Sequence, residues 1–199
     1  MSERPTTEIE GCRRSHARLL SRLAGLDDAT ARQPSLLPGW SVGHVLTHLA
    51  RNGDSVVRRL EGAARGEVVD QYVGGPAGRA AEIEAGAGRP AGELVEDVAT
   101  SAARLDQVAG AFPDDAWGRL TRDVSGEERP AATTLFSRWR EVEVHHADLG
   151  LGYTPADWPP ELVVRWLPRE LAVLGERADP TELLVWVLGR GPAPTLGPW

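Results

Sequence analysis

Apolar residues recur at spacings of three and four through four separate stretches of this chain, and that periodicity constrains its fold more than any other feature. The first stretch runs from about Thr6 to Leu26, with Ile9, Leu19, Leu20 and Leu23 on one face. The second follows the turn Pro38-Gly39-Trp40. Ser41 is placed to cap it, and Val42, Val45, Leu46, Leu49, Val56, Val57 and Leu60 carry its apolar stripe. The third spans Ala91 to Ala111, with Leu94, Val95, Val98, Leu105 and Val108, and stops at Phe112-Pro113 because proline cannot continue the hydrogen-bond ladder. The fourth starts near Thr133 or Thr134 and reaches about His146, with Leu135, Trp139 and Val142 as its stripe; Gly150, Gly152 and Pro155 end it. Four such helices predict a mainly α chain. The simplest architecture is a four-helix bundle over residues 1–155 with a short C-terminal extension over 156–199.

The connections are less regular. Between about Gly62 and Pro90 the chain is rich in Gly, Ala and Arg, breaks at Gly74-Gly75-Pro76, and has room for a short helix around Arg79 to Ala85. Ser125 to Pro130 reads as a polar loop. After Trp158-Pro159-Pro160 a short helix is expected over Glu161 to Leu174, interrupted or bent at Pro168. Another is expected over Thr181 to Leu188, and then an extended Gly/Pro-rich tail. No internal repeat is visible.

Charge and length narrow the partners. The formal net charge is −7 and the basic residues, every one an arginine, are scattered rather than clustered. This argues against nucleic acid, which calls for a concentrated basic face, but leaves room for small anionic substrates. No window approaches the run of about 18 apolar residues that a membrane helix requires, so no membrane role is expected. The polar, charged segment Met1 to Arg14 does not resemble a secretory signal, and a cytoplasmic location is the expectation. Cys12 is the single cysteine. It sits among Ile9, Leu19, Leu20 and Leu23 with no plausible activating neighbour, so it reads as a small buried hydrophobe and not as a nucleophile.

The histidines carry more information. Four of the five fall in two helices: His44 and His48 in the second, His145 and His146 in the fourth. Glu141 and His145 are four apart and share a helix face, as do His44 and His48. His48, Glu141 and His145 drawn together from facing helices make a His2Glu set with one position left open, the pattern of a catalytic rather than a structural zinc site. Each pair taken alone favours the reading of a solvated pair on an exposed helix; that both lie in strongly apolar helices, far apart in sequence, with few histidines elsewhere, leaves the two readings open. His44 reads as a cap, a hydrogen-bonding residue or part of a pocket wall. His146 falls on the Leu135, Trp139, Val142 stripe and reads as packed core. Asp148 reads either as a group orienting a ligand histidine or as a helix-terminal residue.

Three motifs then resemble a known family. Leu37-Pro-Gly-Trp-Ser-Val-Gly-His-Val-Leu-Thr-His-Leu-Ala-Arg-Asn52 is similar to the second-helix signature of the mycothiol-dependent maleylpyruvate isomerases, within the wider DinB/YfiT-like group of metal-binding four-helix bundles. Arg138-Trp-Arg-Glu-Val-Glu-Val-His-His-Ala-Asp-Leu-Gly150 resembles the fourth-helix signature. Leu184-Val-Trp-Val-Leu-Gly-Arg190, with the terminal Gly197-Pro-Trp199, resembles the C-terminal one, and Arg79 to Arg89 has the look of the middle segment.

The resemblance implies a DinB-like bundle with zinc, or another divalent metal, held by His48, Glu141 and His145. It implies mycothiol as thiol cosubstrate and Arg190 as the catalytic arginine that holds a substrate carboxylate. The implied reaction is cis-trans isomerisation of maleylpyruvate or a related unsaturated diacid by thiolate addition and elimination. The same machinery serves a mycothiol S-transferase acting on another small-molecule electrophile, and the bundle also suits a non-enzymatic zinc-binding module. A monomer or homodimer is expected. One departure stands out: where the family has a strand-containing segment in its C-terminal domain, only a short stretch separates Trp158-Pro159-Pro160 from Asp179-Pro180, so the C-terminal domain reads as reduced.

Overall fold

The computed structural model describes residues 3–197 and divides into two compact units, Met1–Ala156 and Asp157–Trp199. In the first, α1 (Thr6–Leu23) leads through a single-turn helix α2 (Asp28–Ala31) into α3 (Val42–Arg65); α4 (Gly75–Gly86) and α5 (Ala91–Ala111) follow, then a two-stranded ribbon and α6 (Ala132–Asp148). α1, α3, α5 and α6 are the four helices of the bundle. α3 packs along α5 and α6, and α1 lies against α5 and α6. Leu19, Leu23, Val45, Leu46, Leu49, Leu94, Val98 and Val142 meet in its core.

The helix ends follow from local chemistry. Ser41 caps α3, its hydroxyl oxygen accepting from the His44 amide while the His44 ring accepts from the Ser41 amide, a capping box in which histidine stands where Glu or Gln is usual. α3 closes at Gly66, whose φ of 79° is left-handed and suits glycine. α1 and α6 approach closely because position 11 has no side chain: a Cβ on Gly11 would lie 2.4 Å from the Trp139 ring. The first helix ends at Leu23, earlier than periodicity suggests, since Ala24 turns to extended geometry and Gly25 takes a φ of 82°.

The segment expected as a polar loop is instead an antiparallel ribbon, β1 (Leu120–Arg122) paired with β2 (Glu128–Pro130). Asp123 builds its turn: one carboxylate oxygen accepts from the Ser125 amide at 2.9 Å, the Ser125 hydroxyl at 2.6 Å and the Glu127 amide at 3.0 Å. Two contacts tie the ribbon to the α3–α4 connection. Arg122 donates to Asp70 at 3.0 Å and the Val124 amide donates to Gln71 at 2.9 Å. This puts the turn beside the metal-ligand candidates.

The second unit contains α7 (Pro160–Arg177) and α8 (Pro180–Val187), with no strand among its described residues. α7 runs through Pro168 as one element, longer than the interrupted helix expected from the sequence. Proline there removes a single donor, and the rest of the ladder carries the helix past it. Glu170 links α7 along its length, accepting from the Trp166 indole at 2.5 Å and from Arg177 at 3.1 Å. Asp179 caps α8 by accepting from the Thr181 and Glu182 amides. The terminal Pro198-Trp199 of the C-terminal signature lies outside the described residues.

Candidate metal centre

The second turn of α3 and the C-terminal half of α6 face each other in the bundle, and they bring His48, Glu141 and His145 together. One ligand atom from each lies within 4.8 Å of the others. His48 Nε2 is 3.0 Å from Glu141 Oε2, and His145 Nε2 is 3.5 Å from the same oxygen. The two imidazoles meet edge to face with centroids 4.6 Å apart. Around a tetrahedral ion with bonds of about 2.0–2.1 Å, donor atoms sit roughly 3.4 Å apart. The two separations from Glu141 straddle that value, so the residues present fit a divalent ion of the zinc kind.

Burial sets the charge of the trio. Desolvation pushes His48 down to about 4, against its hydrogen bond with Glu141, so the ring is neutral at ordinary pH. Burial opposes the ionised form of Glu141, but hydrogen bonds with His145 and His48 outweigh it and hold the carboxyl well below the usual range. Burial also works against a charged His145, yet the Asp148 and Glu141 carboxylates lift it to about 9. The trio is therefore neutral His48, anionic Glu141 and protonated His145, and His145 must give up one proton before all three can act as ligands.

The surrounding residues divide into two kinds. Asp148 Oδ2 is 2.8 Å from His145 Nδ1, the contact that fixes a ligating imidazole's tautomer and orientation. On the other side Arg79 Nη2 donates to His48 Nδ1 at 3.2 Å. That contact assigns Nδ1 as acceptor and leaves the ring hydrogen on Nε2, toward Glu141. An ion on Nε2 calls for the opposite tautomer, which gives the guanidinium no acceptor at Nδ1. Trp40 closes a further side, with its ring centroid 5.7 Å from that of His48.

His48 and Glu141 open on a cavity of about 360 Å³ whose lining includes Asn52, Tyr72, Arg79 and Ser125. Beneath it lies Arg138, fully buried, whose Nη1 donates to the Leu49 carbonyl at 2.7 Å and to Asn52 Oδ1 at 2.9 Å. Its Nε donates to His16 Nε2 at 3.2 Å, and His16 Nδ1 is 3.4 Å from Asp106.

His44 caps α3 and its Nε2 is 3.3 Å from Glu84. His146 is buried and stacked on Tyr153 with centroids 3.8 Å apart. Cys12 is buried, its thiol donating to the Leu135 carbonyl at 3.2 Å. Arg190 belongs to the C-terminal unit; it is exposed, and its amide donates to the Val185 carbonyl where α8 ends. Sequence reasoning did not single out Arg79, Asn52, Tyr72 or Arg138. Arg138 left a trace as a charged residue on the apolar stripe of α6, while Asn52 and Arg79 appear in the sequence only as the ends of family-like motifs.

The family signature described as mycothiol maleylpyruvate isomerase N-terminal domain matches residues 12–150, and the chain belongs to that family. Among solved structures it is similar to the crystal structure of the mycothiol-dependent maleylpyruvate isomerase, at 24% identity and a TM-score of 0.80, over 98% of this chain and 99% of that one. A histidine-to-alanine mutant of that isomerase matches with the same 24% identity and TM-score of 0.80. These likenesses show the fold. Among curated proteins, none matches the sequence.

Proposed function

We propose that this chain is a zinc-dependent enzyme that uses mycothiol to isomerise maleylpyruvate or a related unsaturated diacid. The observation that carries this reading is the convergence of His48, Glu141 and His145 on one point beside a cavity, in a chain of this family. A divalent ion held there supplies Lewis acidity that lowers the pKa of a bound thiol into the neutral range.

The protein's own residues do the rest. Asp148 fixes the orientation of His145, and Glu141 is held ionised between the two imidazoles. Cys12 takes no part, since burial pushes its thiol up to about 12; the nucleophile comes from the cosubstrate. The thiolate adds to the activated double bond, forming a C–S bond as the π pair moves onto the conjugated carbonyl oxygen; the former double bond rotates as a single bond, and return of the pair breaks the C–S bond and releases the thiolate and the trans product. Arg190, in the C-terminal unit, is proposed to hold a substrate carboxylate, for which its planar fork is suited. The C-terminal unit itself is read as a shortened counterpart of the family's C-terminal domain.

A mycothiol S-transferase would use the same trio. The observation favouring it is the C-terminal unit, two helices with no strand among the described residues, where the resemblance implies a strand-containing segment. A spectrophotometric assay of metal-loaded protein with maleylpyruvate, with and without mycothiol, decides between them. Mycothiol-dependent conversion to fumarylpyruvate is the expected outcome. No conversion, in protein holding one ion per chain, removes the isomerase reading and leaves thiol transfer to another electrophile.

A further inference from the structure

The cavity beside the trio gathers three donors that the mechanism above does not use. Arg79 is half-buried, and its guanidinium meets only the His48 ring and, at 5.8 Å to the centroid, the face of Tyr72; no carboxylate partners it among the described residues. The two arginines lining the neighbouring cavity are engaged: Arg51 is 2.5 Å from Asp97, and Arg58 donates to the Asp70 carbonyl. A guanidinium carries five N–H donors in a fixed fork, and one contact with an imidazole leaves most of them unused.

Asn52 supplies the second donor. It is 4% exposed, and Arg138, which has no acceptor to offer, donates to its side-chain oxygen. That fixes the amide: the oxygen must face Arg138, and the Nδ2 hydrogens are left without a partner in a residue that lines the cavity. Tyr72 supplies the third. Its ring is 6% exposed, it lines the same cavity, and its hydroxyl makes no hydrogen bond among the described residues. Donors that line a cavity and have no acceptor in the protein are free to meet a ligand, and three around one cavity suit an anion with several lone pairs.

We propose that Arg79, Asn52 and Tyr72 form an anion subsite that takes a carboxylate of the electrophilic substrate and turns its double bond toward the trio. The proposal deepens the reading of the function above and rests on it for the identity of the substrate, though not for the presence of the subsite. A carboxylate's two oxygens match the guanidinium fork, and the amide and phenol hydrogens reach its remaining lone pairs. The subsite then selects for a charged electrophile over a neutral one. Loading of the metal favours this use of Arg79, because the His48 tautomer that ligates through Nε2 no longer accepts from it.

The test uses the full chain loaded with one equivalent of zinc. Binding of maleate and of its uncharged dimethyl ester is measured by isothermal titration calorimetry for the wild type, Arg79→Gln and Tyr72→Phe, with zinc content determined on each sample. The expected result is that maleate binds at least tenfold more tightly than the ester. Arg79→Gln is expected to weaken maleate about tenfold or more, and Tyr72→Phe about threefold, with zinc retained.

Equal affinity for diacid and ester, no binding of maleate by the wild type, or unchanged maleate affinity in both variants overturns the proposal. If Arg79→Gln loses zinc, Tyr72→Phe decides, and unchanged affinity there overturns it. The two readings fail separately. Arg79-dependent maleate binding without turnover of maleylpyruvate removes the isomerase reading and keeps the subsite. Turnover whose KM is unmoved by Arg79→Gln does the reverse.

Discussion

The guanidinium of Arg138 donates to the side-chain oxygen of Asn52 at 2.9 Å, which ties the buried face of α6 to the cavity wall on α3. This fully buried cation, with no carboxylate in direct contact among the described residues, is held by the Leu49 carbonyl, the Asn52 amide and the His16 ring, and through that ring it reaches Asp106. Burial lowers the pKa of both Arg138 and His16, which keeps His16 neutral and able to accept.

Arg138→Met keeps the volume and removes every one of these donors. The Asn52 oxygen and the His16 nitrogen are then buried without partners, at a cost of about 2–4 kcal/mol. Urea unfolding of the metal-free variant is the check. A loss below about 1 kcal/mol would show that the polar relay does not hold the bundle.

Asp148→Asn leaves the three ligands in place and removes the carboxylate that orients His145. Loss of such a partner typically lowers metal affinity by 10- to 100-fold. Competition with a chelator of known affinity measures it, and an unchanged affinity would place Asp148 outside the site's working parts.

Metal binding is coupled to the proton on His145. In the metal-free chain that ring is raised to about 9 and so is protonated at pH 7. An entering ion must displace the proton, so apparent affinity rises about tenfold per pH unit until pH 9 and flattens above it. Calorimetry in buffers of different ionisation enthalpy should report about one proton released per ion at pH 7. The same proton stabilises the metal-free fold. Because the folded value lies above the ordinary 6.5, its contribution is complete below that pH and is lost as pH rises through about 9.

Cys12 is predicted to be inert in the native chain. Burial drives its pKa up to about 12, and its thiol already donates to the Leu135 carbonyl. Iodoacetamide at pH 8 should label the unfolded chain at least about 100-fold faster than the folded one. Rapid labelling of the native protein would mean that α1 opens away from α6.

Gly11 is the point at which those two helices can least tolerate change. Valine there must displace the Trp139 ring, which a Cβ alone would meet at 2.4 Å. A loss of about 2–3 kcal/mol in thermal or urea unfolding is expected; a variant as stable as the wild type would show that the ring has room to move.

Much of the site is legible in the sequence because its ligands lie on long, strongly amphipathic helices. The stripe of α3 fixes the face on which His48 sits, and the four-residue spacing of Glu141 and His145 puts both on one side of α6. The cavity around them is not legible. α4, which carries Arg79, is Gly- and Ala-rich and buries only Ile83, so no periodicity announces which way it docks. Tyr72 lies in the connection before it. β1 and β2 have three residues each, too few for alternation to show, and what makes them a ribbon is the Asp123 turn. Arg138 stands on a core stripe beside Trp139 and Val142, but only tertiary packing reveals that Asn52 and His16 receive it.

Metal stoichiometry tests the central claim most directly. Elemental analysis after dialysis against zinc is made on the wild type, His48→Ala, Glu141→Ala and His145→Ala, with circular dichroism to confirm that each remains helical. The expected result is one ion per wild-type chain and essentially none in each folded variant. A wild type that holds no ion, or variants that hold as much as the wild type, would contradict it.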